Sequence, residues 1–203
     1  MVSKGFRNPT IREMYMFRPA NAELKPERMM NYELSFKQYL PGERLWYGAS
    51  VFYLKAENLI ATVMQNGRPL NINTGATEHS GVELEGGYKV NPSISLHFNY
   101  SYLHMSVPQL AAPEHKAYLG ADYKKHRLSL SVGLQYIGNL YTIQGDNARK
   151  ENFALFNATA KYQLVRQLAV FVKGDNLLAR QYEINAGFPM PKATVMAGVD
   201  INL

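Results

Sequence analysis

The chain has 203 residues, 46% of them apolar, no cysteine, and a formal charge of +6. That length suits one large all-β domain or two small ones; the apolar content excludes general disorder, and the lack of cysteine excludes a disulfide framework or a thiolate metal site. No window holds about 20 consecutive apolar residues, which excludes a transmembrane helix. The basic residues are scattered, with one tight run, KKHR at 124–127, so nucleic acid is not an expected partner.

Along the chain a two-residue period recurs, and in an extended strand that period separates one apolar face from one polar face. Tyr32, Leu34 and Phe36 alternate with Glu33, Ser35 and Lys37; Tyr47, Ala49, Val51 and Tyr53 form the next apolar face. Val82, Leu84 and Tyr88 alternate with Glu83, Glu85 and Lys89. Ile94, Leu96, Phe98, Tyr100 and Tyr102 follow, set against Ser95, His97, Asn99 and Ser101. Then come Ala117 to Tyr123, Leu128 to Tyr136, Phe156 to Leu164, Leu168 to Val172 and finally Val195 to Leu203. This predicts about nine strands of roughly ten residues each, whereas globular strands usually run to five or six.

The connections alternate as well. LPGER at 40–44, VNPS at 90–93, KKHR at 124–127 and VRQ at 165–167 are tight, while 9–28, 57–78, 105–114, 138–152 and 175–192 are long. Antiparallel strands reverse direction at every step, so all tight turns fall at one end of the sheet and all long loops at the other. Short periplasmic turns, long extracellular loops, an apolar outer band and a polar interior describe an antiparallel transmembrane β-barrel. On this reading the apolar face of 94–102 touches outer-membrane lipid. Tyr100, Tyr102 and His104 lie at its extracellular rim in an aromatic girdle, a boundary that suits the 14 tyrosines. The alternative is a non-catalytic β-barrel or β-sandwich that binds carbohydrate or protein, in which the same face packs on a second sheet.

Four stretches carry a family resemblance: SKGFRNPTIREMY from Ser3, ELKPERMMNYELSFK from Glu23, GVELEGGY from Gly81 and KGDNLLARQYEINAGFPMP from Lys173. In order and spacing they resemble the C-terminal barrel portion of TonB-dependent outer-membrane receptors, over essentially all of residues 1–203. The resemblance implies the end of about the thirteenth strand and the last nine strands of a 22-stranded, plugged barrel. It also implies TonB-energised uptake of a scarce nutrient: siderophore-bound iron, haem, cobalamin or a glycan. The plug domain, the TonB box, the N-terminal half of the barrel and a signal peptide are expected to lie outside these residues. The TonB complex is then a partner only through that missing region, and residues 1–203 alone are expected to be inactive.

No enzyme is expected. His79, His97, His104, His115 and His126 lack metal-ligand spacing, and no GxSxG elbow, Walker loop or cysteine nucleophile occurs. Glu83 and Glu85 share a face and read as hydrated lumen wall. Neither a catalytic residue, nor a metal site, nor a cofactor is assigned. Ligand contacts are expected from polar and aromatic residues of the long loops: Arg68 and Asn71, then Tyr141, Gln144 and Asp146, then Asn185 and Phe188. A small molecule or a glycan is the expected ligand.

Overall fold

A computed structural model of the chain describes residues 1–42, 44–65, 67–143 and 148–201. Ten strands form one hydrogen-bonded series. They are β1 (Val2–Arg7), β2 (Glu27–Tyr39), β3 (Leu45–Glu57), β6 (Thr77–Asn91), β7 (Ile94–Met105), β8 (Pro113–Lys125), β9 (Leu128–Ile143), β10 (Arg149–Val165), β11 (Leu168–Asp175) and β14 (Thr194–Ile201). These are the nine expected strands preceded by β1, the strand end that the resemblance implied. The rest are short: helix α1 (Ile11–Tyr15) and two hairpins, β4 (Ile60–Gln65) with β5 (Arg68–Asn73) and β12 (Glu183–Asn185) with β13 (Phe188–Pro189). Neither the helix nor the hairpins were anticipated.

Two compact units divide the chain. The first is Met1–Leu34, Val51–Gly81 and His104–Val107; the second is Ser35–Ser50, Val82–Leu103 and Pro108–Leu203.

Within the second unit the antiparallel register carries the period-two pattern across neighbouring strands. Ile94, Tyr123, Leu130, Ala160, Val172 and Ala197 form one row over six strands. One residue along, Ser95, Asp122, Ser131, Thr159, Lys173 and Met196 form the next, pointing to the opposite face. The apolar rows are not covered. Leu119 is 58% exposed and Leu134, its register partner, 42%. A soluble sandwich would bury these positions under a second sheet; among the described residues none lies over them, so the sandwich alternative loses its basis.

The polar rows are tied together by charge and by glycine. Lys37 bonds Glu85 at 3.0 Å, Ser131 donates to Asp122 at 2.6 Å, and Lys161 pairs with Asp200. Gly120 and Gly133 are opposite each other in the register, and the Tyr118 ring lies across Gly133 so closely that a Cβ there would sit 2.4 Å from the hydroxyl. The Tyr118 ring also stacks with His97 at 5.4 Å. An aromatic laid over a strand glycine restores the packing that the missing side chain leaves open.

Several strands outrun the expected length. β6, β9 and β10 have 15, 16 and 17 residues, against the roughly 9–11 that a bilayer requires. The stretch 138–152, expected as loop, is strand as far as Ile143 and again from Arg149. Two register shifts near Arg149 and Phe153, with Asn139 at φ +53, break the alternation there. The break turns Ile137, Leu140 and Phe153 into a small buried cluster, which is why the period-two signal stops short of the strand ends.

Candidate functional site

The long connections gather chemistry in each unit. In the first, Thr10 caps α1 and closes a capping box with Glu13, its hydroxyl accepting from the Glu13 N–H and its own N–H donating to Glu13. Arg7 then forks to two carboxylates, with Nε to Glu27 at 2.6 Å and Nη1 to Glu13 at 3.1 Å. The Arg7 guanidinium, with the Thr10 amide and hydroxyl, holds the Glu13 carboxyl down at about 2. This is the physical content of the FRNPTIRE stretch: the arginine is spent on fastening a loop.

The β4–β5 hairpin is anchored by asparagines. Asn71, 6% exposed, donates from Nδ2 to the Glu13 carbonyl at 3.2 Å and accepts from the Thr62 hydroxyl at 2.7 Å. Its backbone N–H donates to the Pro19 carbonyl at 2.7 Å, and its own carbonyl accepts from Asn21 at 2.8 Å. Asn73 clasps Lys25 both ways, accepting from its N–H at 2.7 Å and donating to its carbonyl at 2.9 Å. A cavity of about 450 Å³ lies between 18–20 and the hairpin tip, with Arg18, Gln65 and Arg68 on its wall.

In the second unit the last loop is organised by Asn176, buried and at φ +50. Its Nδ2 donates to the Arg180 and Pro191 carbonyls, its Oδ1 accepts from the Arg180 N–H, and its own N–H donates to Asn157. Tyr182 stacks on Phe153 at 4.2 Å, and burial pushes its phenol up from the ordinary value. Arg149 joins Glu183 and, at 3.5 Å, Glu151, while Lys150 bonds Glu114 at 3.0 Å and lies over the Tyr141 ring at 4.5 Å. A smaller cavity of about 290 Å³ is walled by Glu151, Gln181, Tyr182, Glu183 and Lys192 among others.

A family model described as TonB dependent receptor-like, beta-barrel, matches residues 2–177. The chain belongs to this family. The TonB-dependent receptor family is one of outer-membrane β-barrel receptors and transporters, not of enzymes. Over 188 residues the chain is 23% identical to the vitamin B12 transporter BtuB of Photobacterium profundum, which accounts for 88% of the chain and 30% of that relative. Its fold is similar to that of the copper transporter OprC, with a TM-score of 0.80 at 17% identity over 100% of this chain and 36% of that one. It is also similar to a mutant ferric enterobactin receptor PfeA from Pseudomonas aeruginosa in complex with enterobactin, with a TM-score of 0.82 at 15% identity over 98% of this chain and 37% of that one. The chain thus spans about a third of the length of the relatives it matches.

The residues expected to meet ligand fall into different environments of this TonB-dependent receptor segment. Arg68 is exposed on the cavity wall of the first unit. Asn71, on the same hairpin, is buried with both ends of its amide engaged, so its side chain serves the loop scaffold. Tyr141 belongs to strand β9 and sits under Lys150. Asn185 and Phe188 are exposed on the β12–β13 hairpin, Phe188 at 73%. Gln144 and Asp146 lie outside the described residues. The reading missed Arg18, Arg149, Glu151 and Glu183. The NARKEN run at 147–152 was the available signal for two of them, and Asn66-Gly67 between two β-rich runs was the available signal for the β4–β5 hairpin.

Proposed function

We propose that the chain supplies the last ten strands of the 22-stranded, plugged barrel of an outer-membrane transporter that takes up a scarce small nutrient with energy delivered through TonB. One observation carries this reading: continuous exposed apolar rows back onto charge-paired polar rows in the same strands, which is the arrangement of a wall between hydrocarbon and a watery lumen. The short turns face the periplasm and the long loops the cell exterior. The plug and the N-terminal half of the barrel come from outside these residues and complete the ligand site. That BtuB is a vitamin B12 transporter and OprC a copper transporter supports the transport class. Residues 1–203 alone transport nothing, because β1 and β14 each have one neighbour in the strand order. Lipid cannot satisfy the backbone groups left on their outer sides. The test is nutrient uptake in a receptor-null strain by the full receptor and by residues 1–203. Uptake only by the first, abolished without TonB, is expected; uptake restored by the second alone overturns the reading.

A further inference from the structure

We infer that the cavity between residues 18–20 and the tip of the β4–β5 hairpin binds a soluble small molecule carrying two or more anionic oxygens, gripped by the guanidinium groups of Arg18 and Arg68. This rests on the transport reading and narrows its ligand class. The volume, about 450 Å³, falls in the range of small-molecule sites. Among the described residues two arginines stand on its wall and no carboxylate does, so that wall is cationic.

Arg7 and Arg149 are committed to ion pairs, Arg7 with Glu13 and Glu27 and Arg149 with Glu183, and the Arg180 guanidinium donates to the Asn152 carbonyl at 3.3 Å. Arg18 and Arg68 make neither an ion pair nor a side-chain hydrogen bond among the described residues. A guanidinium with its planar fork free is the side chain best matched to paired carboxylate or phosphate oxygens.

The wall is also prepared in advance. Each arginine precedes a proline, Pro19 and Pro69, which restricts its backbone. The two sides are tied where the Asn71 N–H meets the Pro19 carbonyl at 2.7 Å. Phe17, immediately before Arg18, holds the left-handed conformation at φ +60 in a turn closed by the Ala20 N–H to the Phe17 carbonyl at 2.8 Å. That conformation is disfavoured for a bulky side chain and marks a position held by its surroundings.

The test is calorimetric titration of citrate, inorganic pyrophosphate and the neutral sugar maltohexaose into the detergent-purified full receptor at low salt. Both anions should bind and the sugar should not, with affinity falling as salt rises. Arg18→Gln and Arg68→Gln should each weaken the anions about tenfold, and the double variant should lose them, because each removes a charge-assisted bond. Amide exchange across 60–73 should be unchanged in the variants, since neither arginine holds the hairpin. Native-like anion binding by the double variant overturns the assignment, as does binding seen only when lipopolysaccharide is in the micelle, which places the contact on lipid. An uptake-competent receptor that ignores both anions overturns it too, while leaving the transport reading in place.

Discussion

Asn176 and Pro191 are joined across the last loop: the buried amide of the first donates to the carbonyl of the second at 3.1 Å, and with the same nitrogen to Arg180 at 2.8 Å. Asn176→Ala leaves those carbonyls without a partner and puts a Cβ residue without a helpful side chain at φ +50. The expected cost is about 2–4 kcal/mol. Asn176→Asp keeps the acceptor for the Arg180 N–H but turns a carboxylate oxygen toward two carbonyls, so it should not rescue. Unfolding in detergent, together with proteolysis across 177–192, checks both.

The capping box of α1 should be acid-sensitive in a defined window. Glu13 is held at about 2, below its ordinary 4.5, chiefly by Arg7 and then by Thr10. A carboxyl depressed in the folded state contributes stability that is complete above 4.5 and is lost as pH falls through about 2. Amide protection over residues 8–26, taken as exchange relative to the intrinsic rate at each pH, should therefore stay high at pH 5 and fall toward pH 2. Arg7→Gln should move the onset upward, toward the ordinary carboxylate range; an unchanged onset would remove Arg7 as the main cause.

Alternation on β9 can be tested by charge. Val132→Arg places a cation on the exposed apolar row and should cost about 2–4 kcal/mol of folding stability in lipid. Ser131→Arg, one residue away and beside Asp122, should cost much less. Equal costs in equilibrium unfolding from vesicles would contradict the assignment of faces.

Tyr118 and Gly133 should be energetically coupled. Gly133→Ala pushes a methyl group into the ring and is expected to cost about 1–3 kcal/mol. In a chain already carrying Tyr118→Ala the same change should cost little, giving a clear interaction energy in the double-mutant cycle. Additive costs would mean that Gly133 is required by the backbone and not by the ring.

Sidedness is open to labelling in the full receptor with any cysteine outside these residues replaced, since residues 1–203 hold none. Phe188→Cys, on the exposed β12–β13 hairpin, should react with a membrane-impermeant maleimide on intact cells. His126→Cys, in the tight turn after β8, should react only after the outer membrane is opened. The reverse pattern would invert the proposed topology.

The sequence by itself determined which residues of each long strand share a face, the order of the nine long strands, and that tight and long connections alternate. These properties are local: they depend on a two-residue period and on turn residues a few positions apart, so Leu130 and Ser131 declare their faces without help. Only the tertiary structure decided what the long connections do. Asn71 looked available for a ligand, yet its amide is taken by the Glu13 carbonyl, 58 residues away in sequence, and by Thr62. Tyr141 looked like loop, yet it is strand, because Ile137, Leu140 and Phe153 leave the alternation to pack with Tyr182 and Ile184. A polar side chain in a long loop reads the same whether it faces solvent or a distant backbone carbonyl. The choice depends on which segments the strands bring alongside, and the two-residue period carries no record of that.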